Sequence, residues 1–205
     1  MSEQSMRERI LDVATDLFSA RGADGTPLQG IADAVGVSKP TVVYHFGSKQ
    51  NLRVCVLRRV LDHWRDRLPQ MMSEATSGGP GVKTLLTALF GFFRDQPARA
   101  RLLQRELLSP DTVLPALLRE HLQPWTQLLT QALRLGQAQG VVRPSVDPEA
   151  FVVLVVHTAI ATISVGHQAG ALLRPEPTVD QQLETLISVA QAGLLPLNLP
   201  HLQEA

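Results

Sequence analysis

"GIADAVGVSKPTVVYHFGSK", residues 30–49, gathers two of the chain's three lysines and its single tyrosine into one short stretch. Two short helical segments fit it, 27 to 35 and 38 or 40 to 46, joined only by Gly36, Val37 and Ser38. Ala32 is small and lies four residues before Gly36. Ile31, Val35, Val37, Val42 and Phe46 supply the apolar positions that two helices crossing steeply at close range need. Gly36 can take the left-handed C-cap conformation without a Cβ penalty, and Ser38 can cap the second segment.

This is the plan of a helix-turn-helix, whose second helix enters the major groove with its N-terminal residues toward the base edges. Lys39, Pro40, Thr41, Tyr44 and His45 then fall on the outward side. Lysine reaches a guanine edge or a phosphate, threonine a thymine methyl or a hydroxyl acceptor, and tyrosine and histidine the sugar-phosphate backbone. Lys49 opens the next helix, where an ammonium and free backbone N–H groups converge on a phosphate. Thr26, Ser38, Lys39, Pro40, Thr41, Tyr44, His45 and Lys49 make up the DNA-facing set.

Outward from this stretch the apolar residues keep the helical period. Ile10, Val13, Ala14, Leu17 and Phe18 form one stripe, and Leu52, Val56, Val60, Trp64, Leu68 and Met71 another. Val82 to Phe93, Trp125 to Leu133 and Val179 to Ala190 repeat it, and no alternating run competes. The chain therefore reads as all-α. Thr26-Pro27, Ser109-Pro110 and Asp147-Pro148 each read as an N-cap followed by proline at the first helical position, while Gly22 and Gly140 mark helix ends. Pro115 and Pro124 should kink or split the stretch 110–139. The small, polar "SEATSGGPGV", 73–82, reads as a break. The expected organisation is a DNA-binding part over 1–47, a connecting helix over 48–73 and a larger helical body over 80–205.

Composition narrows the function. With 19 basic and 19 acidic residues the net charge is zero, so a nucleic-acid binder must concentrate its positive charge locally. One cysteine excludes an internal disulfide framework and a thiolate metal cluster, and no metal or other cofactor is expected. The charged N-terminus does not suit a signal peptide. The longest apolar run, Ala150 to Val165, is shorter than the ~20 residues that span a bilayer. A cytoplasmic protein with no membrane role is the expectation. No metalloprotease histidine pair, phosphate-binding glycine loop or nucleophile elbow is present, so a small-molecule enzyme is a minor alternative. A helical dimer that no longer reads DNA is another.

Residues 9–52, "RILDVATDLFSARGADGTPLQGIADAVGVSKPTVVYHFGSKQNL", resemble the TetR family of bacterial transcriptional regulators. The amphipathic first helix ending near glycine, the threonine before the second helix, the "IA...GVS" turn, the tyrosine-histidine-phenylalanine and the "SK..L" opening occur in the family's order and spacing. Many members carry a second aromatic where this chain has Val43, so the aromatic reach to the DNA backbone rests on Tyr44. "LGQAQGVVRPSVDPEAF", 135–151, resembles the body of family members.

The resemblance implies a repressor that binds a near-palindromic operator as a homodimer and is released by a small effector. It places the dimer interface on the last two long helices, with Leu154, Thr158, Thr162, Leu183, Leu186, Ile187 and Ala190 as candidates. The residues suit this, because 144–173 contains no lysine or arginine and its helix is apolar on nearly every side. An apolar or amphipathic effector is expected in the body. The candidate pocket residues are Trp64, Leu68, Met71, Phe90, Phe93, Leu103, Glu106, Trp125, Leu129 and His157, with Met72, Arg94, Arg101, Arg105, His121 and His167 as further possibilities.

Overall fold

The computed structural model describes residues 3–77 and 81–195, which form helices and turns with no strand among them. In chain order these are α1 (Glu3–Arg21), α2 (Leu28–Val35), α3 (Lys39–Phe46), α4 (Lys49–Ser77), α5 (Gly81–Arg94), α6 (Pro97–Leu107), α7 (Val113–Ala138), α8 (Pro148–Gly170) and α9 (Val179–Leu194). The expected all-α architecture, a small N-terminal helix-turn-helix joined by a long helix to a larger helical body, is what forms.

Ile10, Leu11, Ala14 and Phe18 of α1 are buried together with Ile31, Val35, Val42, Phe46 and Leu52 of α2, α3 and α4. Gly36 turns the chain between α2 and α3 at φ 79°, and its N–H and that of Val37 both return to the Ala32 carbonyl, each at 2.9 Å. A Cβ built at Gly36 meets nothing within 4 Å. Substitution there is penalised by backbone conformation alone. Gly36→Ala is therefore expected to cost about 1–2 kcal/mol of unfolding free energy in urea titration, with native helicity retained.

The body corrects several local expectations. α4 continues to Ser77, so most of the stretch thought to break the chain before 82 is helical; only 78–80 lie outside the described residues. Ser109-Pro110 does not start a helix. The chain bends through 109–112 and α7 begins at Val113, whose N–H is taken by the Asp111 carboxylate at 3.0 Å. Pro115 then sits in the first turn, where no intrahelical partner for its nitrogen is lost, and α7 passes through Pro124 as one helix. Asp147 does cap α8, accepting from Ala150 N–H at 2.8 Å. The side chains of Met71 and Met72 lie outside the described residues.

The two ends of the molecule are locked together. Arg105 of α6 donates to the carbonyls of Ser19 and Ala20 at the end of α1, each at 2.8 Å. Arg53 of α4 makes a bidentate, buried pair with Glu106 of α6, and its other nitrogen reaches Asp111 at 2.6 Å. Hydrogen bonding to Glu106 holds the Arg53 pKa above its ordinary value, and the bond from Arg53 holds the Asp111 carboxyl below its own.

Candidate DNA-reading helix and ligand cavity

α3 stands outward on the packed α1–α2–α4 frame. Val42 and Phe46 anchor it in the core, while Lys39, Pro40 and Tyr44 are exposed, Tyr44 by 75%. Ser38 is the N-cap: its Oγ accepts from Thr41 N–H at 3.3 Å and shares a hydrogen bond with the Thr41 hydroxyl at 2.8 Å. The Thr41 hydroxyl is thus engaged locally. His45 is half-buried between Tyr44 and Phe46, with ring centroids at 5.3 and 6.3 Å.

Lys49 begins α4, its Nζ donating weakly to the Asp24 carbonyl at 3.4 Å. Ser48 caps α4 through Asn51 N–H at 3.1 Å, and the Asn51 side chain donates to the Phe46 carbonyl at 2.9 Å. Asn51 ties the end of α3 to α4, a role absent from the sequence reading although an asparagine three residues after a capping serine could have suggested it. Thr26 is a correction. It is 1% exposed, and its hydroxyl donates back to the Gly22 carbonyl at 2.7 Å. It fastens the α1–α2 turn instead of facing DNA, and Pro27 takes the N-cap position of α2.

In the body, α4 to α9 line a half-open cavity of about 850 Å³ whose wall is almost entirely aliphatic and aromatic. Of the predicted residues it brings together Trp64, Leu68, Leu103, Trp125, Leu129 and His157. Polar side chains in the wall are Arg119, Gln123, Thr126, Gln139 and His157, all five of them exposed. Sequence reasoning missed Leu118, Leu122, Leu133, Val152, Val156 and Ile160, which continue the stripes of α7 and α8.

Three predicted pocket residues lie elsewhere. Phe90 and Phe93 are buried core; Phe93 packs edge-on against Trp64 and Phe92 at 5.1 and 5.0 Å. Glu106 is spent on Arg53. Of the further possibilities, Arg94 pairs with Asp180 at 3.5 Å, Arg101 is exposed, and His121 is buried with Nδ1 2.9 Å from Asp62. His167 is 86% exposed beside Glu176.

The proposed dimer residues divide. Leu183 and Ala190 are buried within their own chain, so they are unavailable to a partner, and Leu186 and Ile187 pack half-buried against the same core. Leu154 is 65% exposed, with Thr158 and Thr162 half-exposed. Val165 and Val189 add uncovered apolar surface. Only a third of the most apolar window of α8 is buried within the chain, although the helix is long and apolar enough to cross a membrane by length and composition.

Residues 10–54 match the family described as "Bacterial regulatory proteins, tetR family", and residues 80–191 match "Tetracyclin repressor-like, C-terminal domain". The chain belongs to the TetR family. It is 30% identical over 196 residues to the HTH-type transcriptional regulator RutR of Escherichia coli, covering 93% of this chain and 91% of that one. Its fold superposes with a TM-score of 0.71 on the ketosteroid transcriptional regulator KstR2 of Mycobacterium tuberculosis, at 20% identity over 93% of this chain and 95% of that chain. FadR from Bacillus subtilis, solved in complex with stearoyl-CoA, superposes with a TM-score of 0.70 at 16% identity, covering 91% and 98%. As a TetR-family member the protein is a ligand-responsive, DNA-binding transcriptional regulator.

Proposed function

We propose that the protein is a cytoplasmic, non-enzymatic repressor that binds a near-palindromic operator as a homodimer and releases it when an apolar or amphipathic molecule fills the body cavity. The observation that carries this reading is the course of α4. Its first turn holds Lys49 and Asn51 beside α3, and its later turns contribute Trp64 and Leu68 to the cavity wall. A ligand that favours one tilt of α4 changes the placement of α3. Effector and operator must then weaken each other by the same factor, typically 5- to 150-fold.

An aliphatic wall with polar groups at its edge suits a ligand with a long apolar part and a polar end. The FadR complex with stearoyl-CoA supports the ligand class at the level of fold. α8 and α9 supply the dimer face, with Leu154, Val165 and Val189 replacing the inward-facing Leu183 and Ala190. A twofold dimer places its recognition helices roughly 34 Å apart, one turn of DNA.

The test is binding to DNA from upstream of the protein's own coding sequence at two salt concentrations. Operator affinity is expected to fall steeply with salt as phosphate contacts release counterions. Thr41→Ala and Lys39→Ala should lose about 1–3 kcal/mol and alter sequence preference, while Lys49→Ala should weaken all DNA alike. Affinity equal for operator and unrelated DNA in wild type would remove the reading.

A further inference from the structure

We propose that the polar recess between α4, α5 and the start of α6, walled by His63, Arg67, Gln96 and Arg99, binds a phosphate group. The recess is separate from the apolar cavity and has a volume of about 250 Å³. Its distinctive feature is Arg99, a residue only 9% exposed whose charge is opposed by Asp95 without a carboxylate in ion-pair contact among the described residues. A buried charge of this kind is costly unless paired. Its hydrogen bond goes instead to the Nδ1 of His63 at 3.1 Å, and its guanidinium lies 4.8 Å from the centroid of the Phe92 ring. A neutral imidazole and an aromatic face compensate a buried cation only in part.

Arg67 lines the same recess, is exposed, and has no ion-pair partner among the described residues. Desolvation, then the neighbouring Arg99 and Arg67, push His63 below its ordinary pKa. With Nδ1 accepting from Arg99, Nε2 carries the proton and donates. The residues lining the recess therefore carry N–H donors on Arg67, Gln96, His63 and the remainder of Arg99. So many donors suit the several oxygens of a tetrahedral oxyanion better than the two of a carboxylate.

Asp95 also lines the recess and opposes an anion. Two guanidiniums against one carboxylate still leave an excess positive charge. The first turn of α6 begins here, and its N-cap residue Gln96 makes no side-chain capping bond, so the amide of Gln96 is not committed to the helix.

The position gives such a site a consequence. Phe92 in the recess stacks on Trp64 in the wall of the apolar cavity, with centroids 5.9 Å apart and planes 22° from parallel. α6 itself carries Arg105 and Glu106 to the DNA-binding end. A phosphate held at the start of α6 thus acts on the helix that grips both α1 and α4.

Calorimetric titration of the full-length protein with inorganic phosphate and, separately, with glycerol 3-phosphate tests the site, at constant ionic strength with chloride as control. One saturable site per chain is expected. Arg67→Ala, an exposed change that leaves the core intact, should weaken it by about 10-fold or more, the worth of a charged hydrogen bond. Arg99→Leu should abolish it, with helicity checked by circular dichroism. Tighter binding of the ester identifies the phosphate of an organic ligand as the occupant; tighter binding of the free ion identifies phosphate itself. Absence of saturable binding of both up to about 20 mM, where the free energy gained falls below roughly 2.5 kcal/mol, overturns the proposal, as does affinity unchanged in Arg67→Ala.

Discussion

Glu106→Ala is expected to lower the unfolding free energy by about 3–5 kcal/mol, because it strands a buried guanidinium. The side chains of Arg53 and Glu106 are only 8% and 6% exposed, and Asp111, the remaining partner, is 37% exposed. Asp111 alone cannot solvate Arg53 as a bidentate carboxylate does. The double variant Arg53→Met, Glu106→Leu should recover much of the loss, since apolar groups of similar volume need no partner. Urea unfolding of Arg53→Met, Glu106→Leu and their double variant closes the cycle, and a coupling energy under about 0.5 kcal/mol would contradict a direct pair.

Function should follow stability here. Arg53 and Glu106 hold α6 to α4, and Arg105 holds α6 to α1. Glu106→Ala should therefore reduce the factor by which an effector weakens operator binding. Acid erodes the same lock. The Asp111 carboxyl is held below its ordinary range in the folded protein, so its contribution is present above the unfolded value of about 3.9 and is lost as pH falls below it. Arg53→Met should flatten that part of the stability–pH profile.

The second large effect concerns assembly. The paired substitution Leu154→Glu, Val165→Glu places carboxylates on the uncovered apolar face of α8 and is expected to yield a folded monomer. Both positions are exposed in the single chain, 65% and 48%, so the fold itself should tolerate the change. A dimer engages its second half-site at an effective concentration far above that of free protein, and losing this linkage should weaken operator binding by about 100-fold or more. Light scattering coupled to size exclusion reads the mass, and a gel-shift titration reads the affinity. Wild-type protein monomeric at micromolar concentration, or an unaltered mass in the variant, would exclude this face as the interface.

The DNA-binding end was legible from the chain because its determinants are short-range. The Ser38 cap bonds to Thr41 and the Gly36 turn closes onto Ala32, and in the body the equally local Asp147 cap bonds to Ala150. Each joins residues three or four apart, within reach of local backbone geometry. The same locality exposes Tyr44 and buries Val42, since helical period alone puts them on different faces.

Periodicity marks an apolar stripe but does not say which neighbour the stripe meets. Leu183 and Leu154 both lie on the apolar stripes of long helices, yet one faces its own core and the other is uncovered. Only packing decides between them. The cavity draws its wall from helices spread along the chain from α4 to α9, and the Arg53–Glu106 pair joins positions 53 residues apart. Thr26 turns inward onto the Gly22 carbonyl at the end of α1, a local bond, while its burial follows from the packing of the surrounding helices. The sequence by itself determined the all-α class, the helix-turn-helix and the outward side of its second helix, through caps, glycines and helical period. The tertiary structure alone decided the cavity, the buried lock and the uncovered face of α8, because contacts between distant helices depend on how whole surfaces fit and leave no local signature.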